Sequence, residues 1–149
     1  MKSKVNEIAI SYNGSTKANL LPKITCSQSA ADLAYSHWNK ETIELHETFK
    51  ILLLNNANKV KGIYEVSNGG ITGTLVDVRI LFAVLLKSLT TAVILLHNHP
   101  SGTLKPSEAD KRLTKKIKKA GELFDIKILD HLILTPDGDY YSFADNGIL

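Results

Sequence analysis

The apolar run Ala92 to Leu96 (AVILL) carries no polar alternation and predicts a strand covered on both faces, in the middle of a sheet. Around it the pattern changes period. Ile8 to Tyr12 alternate apolar and polar as a short strand does, and Asn13-Gly14 then supplies a turn. From Ser27 to Trp38 the apolar residues Ala31, Leu33, Ala34 and Trp38 share one helical face, with Ser27 or Ser29 as N-cap and His37 at the surface. Glu47 to Leu54 (ETFKILLL) and Lys59 to Ser67 read as two strands joined in a hairpin through Asn55-Asn56-Ala57-Asn58. Asn68-Gly69-Gly70 and Gly73 mark a turn, and a short third strand is expected at Thr74 to Val76.

In the second half, Asp77 is placed as the N-cap of a helix from Val78 to Leu89. Its apolar residues cover nearly the whole circumference, the pattern of a helix buried against a sheet. Leu113, Ile117, Ala120 and Phe124 recur at helical spacing within a helix from Ser107 to Phe124. A strand follows at Ile126 to Leu134, and Pro136-Asp137-Gly138-Asp139 turns the chain into Tyr140 to Phe143. No internal repeat, low-complexity tract or linker interrupts this order, so the chain reads as one α/β layer structure preceded by an arm over residues 1–26.

A length of 149 residues with 44% hydrophobic content suits a single globular domain with a real core. The apolar stretches fall far short of the roughly 20 residues that a membrane-spanning helix needs. The N-terminal residues MKSKVNEIAISYNGSTK have neither the apolar core nor the cleavage pattern of a secretory signal, so a cytoplasmic location is expected. Cys26 is the only cysteine, which excludes an internal disulfide and any thiolate zinc cage. A net charge of +3 is too weak to imply nucleic-acid binding. Lys111, Arg112, Lys115, Lys116, Lys118 and Lys119 crowd into one stretch, but the apolar spacing between them makes these cations the solvated face of an amphipathic helix.

Chemistry concentrates where the central strand ends. Alternate side chains of an extended segment share a face, so His97 and His99 can address one ion while Asn98 points away. Asp110 falls in the first turn of the helix that Ser107 begins, where a carboxylate can face back toward the strand end. Three protein ligands leave one position of a tetrahedral zinc for water, the arrangement of a catalytic site. The same ligands would also accept manganese, iron or nickel. A base must take the proton from that water, and by position Glu41, Glu44, Glu47 and Glu65 are the candidates.

The pattern His97-x-His99-x7-Ser107-x2-Asp110, with an acidic residue well upstream, matches the JAMM signature of the JAB/MPN metalloprotease superfamily. Within it, HNHPSG followed by KPSEAD, VDVR at 76–79, LDHLIL at 129–134 and YYSFADNGIL at 140–149 resemble the RadC family, over roughly Ser27 to Leu149. The resemblance implies a cytidine-deaminase-like fold, a mixed sheet between helices with zinc at the end of the central strand. It implies that His97, His99 and Asp110 are metal ligands and that the base is Glu47, in HETFKILLL. Ser107 would donate a hydrogen bond to the oxyanion formed at an amide carbonyl. Relatives with this signature cleave peptide or isopeptide bonds, so a peptide or protein substrate is implied. Asn98 stands where many such proteases have Ser or Thr, as is usual in RadC-like sequences. The helix-hairpin-helix region of longer RadC proteins is not matched within these 149 residues, so the DNA-repair label that the family carries is expected to lose its main DNA-binding part here.

Each site residue also has a plainer reading. His97 and His99 could polarise a turn, and Ser107 with Asp110 resembles a capping box. An Asp110 oxygen committed to zinc is expected to be a poor backbone acceptor, so Asp110 should not fully serve both. His131 reads as a structural histidine or one that supports a ligand, His46 as pointing opposite Glu47, and Arg79 as a helix-start residue as readily as a substrate contact. A nucleotide deaminase needs Pro-Cys-x-x-Cys and is excluded. A DNA-binding protein or nuclease, and a non-catalytic scaffold, are the alternatives to a hydrolase.

Overall fold

The computed structural model describes residues 1–70 and 74–149. Its core is a five-stranded mixed sheet in the order β2-β1-β3-β4-β5. The strands are β1 (Thr48–Leu54), β2 (Val60–Asn68), β3 (Ala92–Asn98), β4 (Lys127–Leu134) and β5 (Tyr140–Ser142), with helices α1 (Ser27–Ser36), α2 (Val78–Lys87) and α3 (Glu108–Leu123). Strand β1 pairs antiparallel with both β2 and β3. Strands β3 and β4 are parallel, which requires the crossover that α3 supplies.

All seven residues of β3 are buried, as the unbroken AVILL run predicts. Strand parity then sorts the core into two layers. Leu52, Leu54, Ile94 and Leu96 pack with Ala30, Ala31 and Ala34 of α1. Phe49, Ile51, Val93 and Leu95 pack with Leu81, Phe82 and Leu85 of α2 and Ile117 of α3. At the end of β3 the same parity gives His97 to the α2/α3 face and Asn98 to the α1 face. Gly121 permits the close approach of α3 to the chain entering β4, because a Cβ there would lie 2.6 Å from the Ile126 carbonyl oxygen. Among the described residues no helix is long and apolar enough to cross a membrane.

Several expectations need correction. Ile8 to Tyr12 form no strand: Ile8 is 92% exposed, and this arm has no neighbouring ladder to satisfy its backbone. Thr74 to Val76 also form none, and Leu75 is 94% exposed. Gly73 lies outside the described residues. The cap of α1 is Cys26 rather than Ser27 or Ser29, and the Ser29 hydroxyl accepts instead from the Cys26 N–H in a capping box. Helix α2 ends at Lys87 and is covered on one side only, with Ile80 and Leu86 exposed on the other. Its sequence is apolar all round, but among the described residues no second layer packs over its outer face. Phe124 is 50% exposed because α3 ends at Leu123, and the left-handed Asp125 (φ 52°) turns the chain away. The lysines behave as expected: Lys115, Lys116 and Lys119 are exposed, while Thr114, Ile117 and Gly121 face inward.

Candidate metal centre

His97 is the penultimate residue of β3 and is 2% exposed. His99 lies just beyond the strand and is kept in line by its N–H, which donates to the Leu134 carbonyl at 2.9 Å. Gly102 (φ 80°) then takes a left-handed conformation as the chain turns back toward α3. Ser107 caps that helix, and Asp110 sits in its first turn. The three residues separated in sequence thereby converge. The Nε2 atoms of His97 and His99 are 3.0 Å apart. Asp110 Oδ1 is 3.4 Å from His97 Nε2, and Asp110 Oδ2 is 3.5 Å from His99 Nε2. Ligand atoms around a tetrahedral zinc, with bonds of about 2.0–2.1 Å, stand about 3.3 Å apart. Taking one atom from each residue, the three groups lie within 4.8 Å of one another, close enough to share one ion.

The hydrogen bonds behind the rings decide which nitrogens are bare. His99 Nδ1 lies 2.6 Å from the Thr103 carbonyl, which can only accept, so Nδ1 carries the proton. Behind His97 the bonds run in series. The Thr114 hydroxyl donates to the Asp110 carbonyl at 2.7 Å, which leaves it to accept from His131 Nδ1 at 2.6 Å. His131 is fully buried and burial pushes its pKa well below the ordinary imidazole value, so it is neutral and its Nε2 is bare. That Nε2 accepts from His97 Nδ1 at 2.7 Å. In their neutral forms both histidines therefore turn unprotonated Nε2 lone pairs toward each other beside a carboxylate. Such a pair is repulsive without a cation between them, so the donor set fits a divalent metal. Phe49 stacks on the His97 ring and Phe143 on the His131 ring, which fixes both planes.

His131→Ala is expected to weaken zinc binding about 10- to 100-fold while leaving the ligands in place, as measured by chelator competition. Unchanged affinity would show that the bond to His97 Nδ1 does not matter. The support role of His131 agrees with its sequence reading. Thr114 is a residue that sequence reasoning missed. Its signal is its phase, one turn after Asp110 and three residues before the buried Ile117 on an otherwise lysine-rich helix.

In the capping box, Asp110 Oδ2 accepts from the Ser107 N–H at 2.8 Å while Oδ1 lies 3.4 Å from His97 Nε2. Burial opposes its charge, yet the bonds with His97 and His99 hold its pKa far below the carboxylate range. Burial also works against a charged His99, but the Asp110 carboxylate and the Thr103 carbonyl raise its pKa above the ordinary value.

Glu47 is half-buried immediately before β1, and His97, His99 and Asp110 are its charged neighbours. Burial raises its pKa, partly offset by the charges of His97 and His99. Glu41, Glu44 and Glu65 are exposed, which leaves Glu47 as the acidic neighbour of the triangle. Ser107 Oγ accepts from the Asp110 N–H at 3.0 Å, so the cap occupies a lone pair and not the hydroxyl proton. Asn98 points away from the ligands and is completely buried, as parity requires. Arg79 is paired with its own cap residue Asp77 at 2.8 Å.

Comparison with known proteins supplies a family. The sequence profile described as the RadC-like JAB domain matches residues 24–148. A UPF0758 protein of Flavobacterium johnsoniae is 59% identical over 103 residues, covering 69% of this chain and 44% of that protein. UPF0758 proteins of Porphyromonas gingivalis and Pelobacter propionicus are 45% and 41% identical, each over 69% of this chain and covering 45% and 44% of their own lengths. The chain thus spans less than half the length of the curated relatives it matches, and their printed names state no activity.

Proposed function

The chain belongs to the RadC-like JAB domain family, and from that premise and the converging His97, His99 and Asp110 we propose that it is a zinc-dependent hydrolase of the JAMM type acting on peptide or isopeptide bonds. The single observation that carries this reading is the pair of imidazole Nε2 atoms 3.0 Å apart beside a carboxylate. Imidazole and carboxylate donors suit zinc, with manganese, iron and nickel as the competing ions. A divalent ion held there supplies Lewis acidity, which polarises a carbonyl and brings the pKa of water down toward about 7.

The protein's own groups do the remaining work. Glu47 takes a proton from the attacking water and returns it to the leaving amine, a task suited to a half-buried carboxylate beside the His97, His99 and Asp110 group. Ser107 donates its hydroxyl proton toward the oxyanion of the tetrahedral intermediate. Thr114 and His131 hold the His97 ring in the tautomer that leaves Nε2 bare. A full set of ligands favours a working site over a non-catalytic scaffold.

The exposed lysines of α3 support a second reading, a DNA-binding protein or nuclease. One experiment separates the two. Wild-type protein loaded with zinc and the Glu47→Gln variant are presented with peptide and isopeptide libraries and with single- and double-stranded DNA. Peptide-bond cleavage by the wild type alone is the expected result. Cleavage of DNA and of no peptide, lost in the variant, would overturn the proposal. The Lys115→Glu, Lys119→Glu double variant is expected to leave peptide cleavage unchanged. DNA binding that falls steeply with salt and is lost in that variant would favour the second reading.

A further inference from the structure

Asn98 breaks the pattern of its strand. The other positions on its side of β3, Ala92, Ile94 and Leu96, pack into the apolar layer with α1, and an aliphatic residue at 98 would extend that layer. A completely buried amide is costly unless its polar atoms are bonded. Here they all are, and every bond goes to one short segment. Oδ1 accepts from the Thr48 N–H at 2.8 Å, and Nδ2 donates to the carbonyls of Ile43 at 2.8 Å and His46 at 3.0 Å. Two carbonyls and one N–H admit only this orientation of the amide. The bonded residues flank Glu47 on both sides.

The sheet explains why a side chain is needed there. The β1–β3 ladder runs from Leu54↔Ala92 to Phe49↔His97 and goes no further. At the next residue the Thr48 N–H reaches the Asn98 side chain instead, so the amide spans the mouth of the sheet where the two strands part. From the other side, the Glu47 N–H donates to the Gly70 carbonyl and the Glu47 carbonyl accepts from the Gly69 N–H. The backbone that presents Glu47 is thus clamped between the end of β2 and the residue that separates the two ligand histidines.

We propose that Asn98 is a positioning residue for Glu47, coupling the height of the base to that of the His97–His99 pair; this rests on the hydrolase reading for what Glu47 does. The side chain acts through Glu47 and touches no reacting atom. Placement errors of about 1 Å can cost about 100-fold in rate.

The test compares zinc-loaded wild type, Asn98→Ala, Asn98→Ser, Glu47→Gln and the Asn98→Ala, Glu47→Gln double variant. With a cleavable peptide, Asn98→Ala is expected to lower kcat about 10- to 100-fold with KM changed less than about twofold. The double variant should be no slower than Glu47→Gln, because the clamp has nothing left to position. Zinc affinity by chelator competition should stay within about threefold of wild type, since the ligands are untouched. A second readout needs no activity: the side-chain carboxyl of Glu47, labelled with 13C and identified by its absence in Glu47→Gln, should shift on zinc addition in the wild type and not in the Asn98 variants. Should Asn98→Ala fail to fold, Asn98→Ser reads the same quantities. Independent, multiplying losses in the double variant, or a zinc-induced carboxyl shift that persists without the amide, would overturn the proposal. If the wild type cleaves no peptide, the hydrolase reading fails on its own and the carboxyl signal alone judges Asn98.

Discussion

Asp110→Asn is expected to lower zinc affinity on the order of 10³-fold and to remove the thermal stabilisation that zinc confers on the wild type. Structural zinc in zinc-finger peptides draws about 10–16 kcal/mol from four ligands together, which sets the scale. Losing the one charged donor of three is a matter of several kcal/mol. At a free zinc concentration of about 100 times Kd, binding contributes roughly 2.7 kcal/mol, or about 5–10 °C in Tm for a chain of this size. Asparagine is the informative substitution because its side-chain oxygen can still accept the Ser107 N–H that caps α3. Asp110→Ala loses that cap as well, at a further cost of about 1 kcal/mol with or without metal. A calorimetric scan with and without zinc separates the contributions. A zinc-dependent rise in Tm that survives in Asp110→Asn would show that the ion binds elsewhere.

Protons compete for the same atoms, and the signs can be worked out. His99 has a raised pKa in the folded chain, so its pairing with Asp110 stabilises the metal-free protein below the unfolded imidazole value and fades as pH rises through the folded one. Asp110 has a depressed pKa, so its contribution is present above the ordinary carboxylate value and is lost in acid. Neutral, buried His131 adds stability as pH rises to the unfolded imidazole value, so the three groups together should make the metal-free protein most stable near that value. Zinc needs the bare imidazole and should move the optimum to neutral pH and above, with protons released on uptake. A calorimetric pH series that places both optima at the same pH would contradict the assignment.

How much of this is written in the sequence depends on how local the signal is. The buried β3 follows from AVILL, and the shared face of His97 and His99 follows from strand parity, because both are properties of consecutive residues. The capping box of Ser107 and Asp110 is equally local. The outer face of α2 defeats the same reasoning: apolar periodicity states what a helix offers and not what arrives to cover it, so Ile80 and Leu86 stay exposed. Asn98 shows the limit from the opposite side. Parity turns it away from the ligands, but its partners Ile43 and His46 lie more than fifty residues earlier in the chain, and no spacing rule connects them. The chain from Thr114 through His131 to His97 joins three elements and becomes legible only once β3, α3 and β4 are packed.

The last large effect concerns Glu47 itself. Glu47→Gln keeps the size and hydrogen-bonding capacity of the side chain and removes only its ability to exchange a proton, so kcat on a cleavable peptide is expected to fall about 10²- to 10⁴-fold with KM little changed. Zinc affinity should hold, because the glutamate stands outside the ligand triangle. Loss of metal along with activity would instead make Glu47 a fourth ligand. The pH profile discriminates further. The acid limb of kcat/KM in the wild type should report the titration of the Glu47 carboxyl. The residual activity of Glu47→Gln should lose that limb, since the group that titrates there is gone. An acid limb that stays in place in the variant would assign the proton transfer to a different group and leave Glu47 without its role.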